Sequence, residues 1–550
     1  MGEQLEEVAV GTRVSCDGHY GVVRYCGPVV DTKGTWLGIE WEDPYRGKHN
    51  GCHNGVQYFQ TRSEMKVPSM NLTLTAMAVG PNNVSSGSFI RPQKVERTLS
   101  VADAVREKYF STLSDLEAPS LSEDQDVLLL QFTPNRTVQF VGPEKITAIL
   151  SRGETIREVV LANMPVDRPG NDGELAGLVP KLQCLVLTHT MLSTWEQVAQ
   201  ITRQLPYLSE LHLSKNMLEI PKEPAELRDY FRSVRQMVLR GVGYSWDQAL
   251  QCAEMWPWVE NLVLSLNGIS VLRPPPEMLF QQLERLSLQD NPISSWETVC
   301  HLGHLPRLKS LSLADCDLTS ISFPDTPPGQ KTPLFANLVI LNLHNNRLEE
   351  WVSIAELNKL ARLEDLFVKG NPVTVRERRH ISRCLLVAHL GNLQLLDRMA
   401  VTRDERREAG IYYVNRFFPL WVQCGGTAEG GTPSPEFLRE HPRFLSLLKT
   451  YGAPETVPDG KTSSLNKRVI TVEIHAPQEP DRGPIRKRLP LSMSVEKLKA
   501  LVMQLFPRKG SRFCLSLASL EEGKESVLDK ERRDLSFYDI TDGSRIYVRW

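Results

Sequence analysis

Leu208-Ser209-Glu210-Leu211-His212-Leu213-Ser214-Lys215-Asn216-Met217-Leu218 decides how most of this chain is read. It follows L-x-x-L-x-L-x-x-N-x-L, and Leu338-Val339-Ile340-Leu341-Asn342-Leu343-His344-Asn345-Asn346-Arg347-Leu348 repeats it in full. Aligned on its first apolar position, the pattern starts at Ile156, Leu182, Leu208, Val234, Val259, Leu283, Leu308, Leu338 and Leu363. The intervals are mostly 24 to 26 residues, with one of 30. The asparagine column holds Asn216, Asn267, Asn291, Asn346 and Asn371, with Cys316 as a substitute and drift to Met164, Thr190 and Val242. A unit this short cannot bury its apolar face alone, so neighbouring units must stack.

The period predicts an α/β leucine-rich-repeat solenoid over 151–421, including a C-terminal cap around Ile381, Leu385, Leu386 and Leu390. Each unit contributes a short strand to a concave face, and the asparagine bonds backbone groups where the strand turns away. Phe323-Pro324-Asp325-Thr326-Pro327-Pro328-Gly329, in the longest unit, reads as a loop excursion. The residue between the second and third apolar positions faces out of the concave sheet. That column begins Val160, Val186, His212, Val238, Val263, which is apolar for a solvated face. Such a patch implies either a protein partner or a cover supplied by the N-terminal part of the chain.

Outward from the repeats the texture changes. Residues 8–97 are rich in Gly and aromatics, with short β-type runs such as Trp36-Leu37-Gly38-Ile39-Glu40-Trp41, and predict a small all-β barrel with an inserted loop near 65–86. Residues 98–150 read as a linker and repeat N-cap, with a helical stretch from Val101 to Phe110 and an acidic loop at 123–126. Residues 422–466 read as a Gly-rich linker interrupted by a short amphipathic stretch from Phe437 to Leu448. Residues 467–550 give strand, strand, helix, strand, strand, the order of an α+β ubiquitin-like roll. This block has 17 Lys/Arg and 12 Asp/Glu, and it ends in Val548-Arg549-Trp550 without a conjugable Gly-Gly.

Across 550 residues, 64 Lys+Arg oppose 66 Asp+Glu for a net charge of -2. That excludes a broadly basic nucleic-acid coat and a broadly acidic solvating tail. Hydrophobic residues make up 41%, enough for a core in each domain. The acidic first residues do not resemble a signal peptide, and no apolar run approaches the ~20 residues of a spanning helix. Ten cysteines without a CxxC pair read as thiols in a reducing compartment, so a cytosolic protein is expected.

No phosphate loop, dinucleotide turn, HExxH helix or GxSxG elbow is present, so catalysis is not expected, nor a cofactor. His49, Cys52 and His53 lack a fourth ligand at metal-site spacing, and no metal is expected there. Gly47-Lys48-His49-Asn50-Gly51 is the sharpest motif, lying between Trp36/Trp41 and Tyr58-Phe59. Glycines let the backbone approach a ligand, Lys48 and free N–H groups bind carboxylates, and aromatics hold an apolar end group. Taken alone, the same residues also fit a surface hairpin with a solvated lysine.

Together with Gly21-Val22-Val23, Trp36-Leu37-Gly38, Tyr58-Phe59 and Gly87-Ser88-Phe89-Ile90-Arg91-Pro92, the motif resembles the CAP-Gly domain. The resemblance implies binding of acidic peptide tails that end in an aromatic residue, notably that of α-tubulin. Lys48 and Asn50 would meet the carboxylates, and Trp36 and Phe59 would help line the aromatic groove. His49 and Asn50 stand where the family usually has Asn and Asp. Protonation of His49 below neutral pH is expected to add attraction.

The order CAP-Gly, leucine-rich repeats, ubiquitin-like domain resembles the family of tubulin-folding chaperones called cofactor E. It implies an α-tubulin-binding chaperone of the cytoplasm and cytoskeleton. Such a chaperone works with cofactors B, C and D to assemble and dissociate the αβ-tubulin heterodimer, without nucleic acid or membrane. A competing class is a leucine-rich-repeat adaptor of a signalling or ubiquitin pathway. An unrecognised hydrolase is a third, with no motif in its favour.

Overall fold

A computed structural model describes residues 9–61, 85–110, 153–431 and 433–454, and 469–550 apart from short stretches, with the backbone alone of Val127–Thr133 and Arg136–Val141. The insertion expected near 65–86 lies outside the described residues except at 85 and 86, as does the acidic loop at 123–126. The chain forms two compact units, Met1–Ala453 and Pro454–Trp550. Among the described residues no helix is long and apolar enough to cross a membrane.

The first unit opens with β1 (Arg13–Cys16), β2 (His19–Pro28), β3 (Thr35–Trp41), the hairpin strands β4 (Cys52–His53) and β5 (Val56–Gln57), and β6 (Gly87–Ile90). β1, β2, β3 and β6 form an antiparallel sheet in that order. Alternation along β3 puts Leu37, Ile39 and Trp41 into a small core with Val14, Cys16 and Val23. β7 (Leu99–Ser100) leads into the helix Val101–Val105, which Ser100 caps by accepting the Asp103 N–H. β8 (Val127–Thr133) and β9 (Arg136–Val141) pair as a hairpin.

The repeats follow. β10 (Glu158–Val160) starts the solenoid sheet, and β11 (Val166–Arg168) turns aside to pair with β7. The sheet continues through β12 (Cys184–Val186), β13 (Glu210–His212), β14 (Gln236–Val238), β15 (Asn261–Val263), β16 (Arg285–Ser287), β17 (Ser310–Ser312), β18 (Ile340–Asn342), β19 (Asp365–Phe367) and β20 (Leu395–Leu396), all parallel. An antiparallel turn to β21 (Met399–Ala400) closes it.

The asparagine column does what its chemistry predicts. Buried Asn291 accepts the Asn267 and Ile269 N–H groups at 2.9 and 3.0 Å and donates to the Leu264 and Leu288 carbonyls at 3.0 and 2.9 Å. Four backbone groups at the strand exits of two repeats are thus satisfied by one side chain. Cys316, in the same column, takes the same place with weaker sulfur contacts to the Leu288 and Ala314 carbonyls, at 3.5 and 3.6 Å. The residue just before the column is left-handed in repeat after repeat, at Asn163, His189, Lys215, Leu266, Asp290, Asp315 and Asn345.

The convex side carries a doubled period that the consensus alignment does not reveal. Trp195, Trp246, Trp296 and Trp351 each open a helix in alternate repeats. Thr194/Gln197 and Ser245/Gln248 build capping boxes at the first two. The repeats between them use 3-10 or extended segments, and from these Phe231, Phe280 and Phe323 pack on Trp195, Trp246 and Trp296 at 5.8, 6.1 and 5.9 Å.

Two further findings bear on the expected boundaries. The excursion in the longest repeat is held down: buried Glu356 accepts the Phe323 N–H at 2.7 Å, and Lys359 donates to the Phe323 carbonyl at 3.1 Å. The expected linker at 422–466 is folded over much of its length. The helices Pro435–Glu440 and Phe444–Tyr451 bury Phe437, Phe444, Leu447 and Leu448 in the solenoid core. Trp421, at the end of the helix Arg403–Gln423, packs 5.4 Å from Phe437 and 5.0 Å from Phe444. The cap expected from Leu385, Leu386 and Leu390 is present, and these helices extend it.

This cap contains two buried imidazoles. His389 lies against Trp351, and His441 Nδ1 pairs with the Tyr413 hydroxyl at 2.6 Å. Burial, then His441 and Arg443, push His389 down to about 3, and burial pushes His441 down to about 4. Both stay neutral when folded, so their contribution is complete above the ordinary histidine pKa and is lost as pH falls below it. At pH 5.5 the unfolded chain gains about 1.4 kcal/mol per histidine by protonation, so these two histidines together should cost the first unit about 3 kcal/mol relative to pH 7.5. Urea unfolding at the two pH values measures this, and His441→Gln should reduce the difference by about 1.4 kcal/mol. Equal midpoints at the two pH values would refute it.

The second unit is a mixed sheet of β24 (Val469–His475), β25 (Ile485–Pro490), β26 (Cys514–Ala518), β27 (Glu525–Val527) and β28 (Arg545–Arg549), after a short hairpin, β22 (Gly426–Thr427) and β23 (Gly430–Gly431), in the first. Its order is β25-β24-β28-β26-β27, with the helix Val495–Leu505 laying Val495, Leu498 and Val502 on the core. This is the ubiquitin-like roll.

Candidate functional site

The Gly47–Gly51 loop is fixed by backbone contacts on both sides. The Lys48 and His49 N–H groups both donate to the Gly87 carbonyl, at 2.7 and 3.1 Å. A Cβ on Gly47 would stand 2.1 Å from the Ser85 carbonyl oxygen, so the loop and the start of β6 approach more closely than any side chain allows. Gly51 has φ +93°, donates to His49 Nδ1 at 3.1 Å, and accepts the Tyr58 N–H at 3.0 Å. Lys48 and Asn50 are exposed at the rim.

Behind the rim lies an aromatic cluster centred on Phe89. His49, Tyr58 and Phe59 sit 4.9, 5.4 and 5.5 Å from it, and His53 and Tyr25 6.2 and 6.3 Å. Phe59 is only 6% exposed, so it forms the floor of the cluster rather than an open wall. Trp36 is half-buried, donates to Thr32 Oγ1 at 2.8 Å, and carries the Arg91 guanidinium 3.8 Å over its ring. Phe89 and Arg91 are absent from the sequence-derived site. They lie in a segment that resembles the CAP-Gly pattern, but only folding brings them to the loop.

The expected role of His49 needs correction. Its Nδ1 accepts a hydrogen bond from Gly51, and burial, with His53 and Lys48 nearby, lowers its pKa. Its protonation therefore sets in at lower pH than for an ordinary histidine. Arg46 is also engaged elsewhere, 4.6 Å over the Trp41 ring and bonded to the Cys16 carbonyl.

The N-terminal module docks on the second repeat. Arg13 pairs with Glu42 at 2.6 Å and donates to the Thr190 carbonyl at 2.8 Å, and Tyr20 meets the His189 ring edge-on at 4.5 Å. These contacts use the turn after β12 and not the Val186 column. Within the expected concave face, Val160, Val186, His212, Val238 and Val263 occupy equivalent outward positions on successive strands, each half-buried. The N-cap blocks the sheet edge: Tyr109 Oη accepts the Val160 N–H at 2.8 Å and Lys108 donates to its carbonyl at 2.8 Å.

Comparison with known proteins agrees with this architecture. The CAP-Gly domain family matches residues 10–66. A zebrafish (Danio rerio) protein, Tubulin-specific chaperone E, is 37% identical over 548 residues, which cover 98% of this chain and 99% of the relative. The Tubulin-specific chaperone E of mouse (Mus musculus) is 33% identical over 556 residues, with 100% of both chains covered. The solution structure of the C-terminal ubiquitin-like domain of mouse tubulin-specific chaperone e is 32% identical, with a TM-score of 0.15; the match covers 17% of this chain and 94% of that one.

Proposed function

Since this chain belongs to the tubulin-specific chaperone E family, we propose that it captures α-tubulin at two places and so assists assembly and dissociation of the αβ-tubulin heterodimer. The N-terminal module holds the acidic C-terminal tail, and the concave sheet engages the folded body. The observation that carries this reading is the exposed Lys48–Asn50 rim set against the Phe89 aromatic cluster, on a module docked directly to the solenoid.

Lys48 supplies a cation for the terminal carboxylates, and Asn50 a neutral donor beside it. The aromatic end group of the tail would pack beside Trp36 and the Phe89 cluster, over the Phe59 floor. Gly47 and Gly51 hold the loop in place, and His49 braces it by accepting the Gly51 N–H. On the sheet, Val160, Val186, Val238 and Val263 offer apolar area to the body, with His212 among them. Once the tail is held, contact with the body is effectively intramolecular, so two modest affinities combine into strong capture. Dissociation of the heterodimer then follows from tighter binding to free α-tubulin than to the dimer. No covalent step is involved. Cofactors B, C and D, in the cytoplasm, supply and receive the tubulin subunits.

A titration of the full chain with an α-tubulin tail peptide tests the residue assignment. Lys48→Ala should weaken binding by about tenfold or more, the scale of one charge-assisted hydrogen bond. Unchanged affinity would remove Lys48 from the site.

A further inference from the structure

The concave face carries a cluster of metal-ligating side chains, of which the body-binding surface described above uses only His212. Cys184 and Glu210 are register partners on β12 and β13, and His212 follows two residues later on the same face as Glu210. One ligand atom from each, a thiol sulfur, a carboxylate oxygen and an imidazole nitrogen, all lie within 4.8 Å of one another. His212 Nε2 is 3.9 Å from Glu210 Oε2, and this buried nitrogen has no hydrogen-bond partner among the described residues. Glu158 is the register partner of Cys184 on the other side. Gln236 gives Glu210 a long hydrogen bond of 3.5 Å.

We propose that Cys184, Glu210 and His212 form a zinc site on the N-terminal half of the concave sheet. A thiolate, an imidazole and a carboxylate are the donor types zinc takes, and the mixture of soft sulfur with nitrogen disfavours magnesium or calcium. Tetrahedral zinc with bonds of about 2.0–2.3 Å sets its donors roughly 3.3–3.7 Å apart. The three atoms therefore need to close by about 1 Å, which half-buried side chains on a rigid sheet can supply by rotation. One thiolate and one carboxylate neutralise the dication, so the half-buried complex carries no net charge. On binding, the thiol proton passes to solvent and the sulfur lone pair goes to the metal. Nothing is oxidised or reduced. The parallel ladder fixes the Cα positions, which are the same in every repeat, while the side chains of this column differ from repeat to repeat. The fourth coordination position faces the concavity, where water or a neutral donor from a docked protein completes it.

The probe is cobalt(II) as a zinc surrogate, added to the reduced full chain. Thiolate coordination gives a sulfur-to-cobalt charge-transfer absorption, expected at one equivalent and displaced by zinc. It should disappear in Cys184→Ser and persist in Cys26→Ser, a control at an exposed cysteine. His212→Ala and Glu210→Gln should each weaken zinc binding by more than about tenfold in a chelator competition. A second readout needs no variant: zinc should slow alkylation of Cys184 in the native chain, located by peptide mass mapping. Absence of the band, its persistence in Cys184→Ser, or unchanged alkylation of Cys184 would overturn the proposal. None of these readouts requires tubulin.

Discussion

Glu356→Ala is expected to destabilise the first unit by about 3–5 kcal/mol, the usual cost of stranding one member of a buried ion pair. Glu356 and Lys359 are 7% and 8% exposed in their side chains and pair at 2.7 Å. Glu356 also accepts the Phe323 N–H, and Lys359 donates to the Phe323 carbonyl. Removing the carboxylate leaves a buried ammonium with no counter-charge and a backbone N–H without an acceptor. Phe323, itself 2% exposed, is the residue where the excursion of the longest repeat begins. Chemical denaturation should show the loss, and limited proteolysis should cut near 325–331. The double variant Glu356→Met, Lys359→Met should recover part of the stability, because it removes the stranded charge. A loss under 1 kcal/mol for Glu356→Ala would contradict the role given to this pair.

Gly51→Ala is expected to abolish tail-peptide binding, by more than about a hundredfold, while leaving the solenoid intact. At φ +93° a Cβ would lie 2.0 Å from the Phe59 carbonyl oxygen and 2.8 Å from its carbon. Both are backbone atoms, so no rotamer change relieves the contact, and the left-handed φ adds strain. The chain must move away from Phe59, which separates the Lys48–Asn50 rim from the aromatic cluster. Gly55→Ala is the matched control: its φ is +79°, but no atom of the described residues lies within 4 Å of the added Cβ. It should cost about 1 kcal/mol of local strain and keep most of the affinity. Peptide titration of the two variants, with thermal unfolding followed alongside, separates the effects. Equal affinity for Gly51→Ala and the unmodified chain would show that the loop is not the binding element.

The solenoid was legible because its determinants are strictly periodic. The leucine and asparagine columns are the positions that the parallel ladder buries, so spacing alone locates them. The alternation of tryptophan helices escaped that reading, since it lies in the variable half of each repeat and needs a two-repeat period to appear. From sequence the segment 435–451 falls within a linker because Gly425, Gly426, Gly430 and Gly431 precede it. Its place in the fold depends on Trp421 and the earlier cap helices, which local composition does not encode. In the N-terminal module, Lys48 and its glycines were visible in the motif, whereas Phe89 and Arg91 lie some forty residues further on. The sequence reading placed His49 among candidates for protonation; its acceptor bond from Gly51 emerges only in three dimensions. Cys184, Glu210 and His212 are one repeat apart and invisible to metal-motif spacing, but the ladder register sets the first two side by side.

The most direct test of two-point capture is binding of the full chain to αβ-tubulin with the α-tail intact or lacking its terminal aromatic residue, with heterodimer dissociation followed in the same samples. The account predicts strong binding and dissociation of the intact dimer, and a clear loss of both when that one residue is removed. Equal binding and equal dissociation of the two tubulins would contradict it.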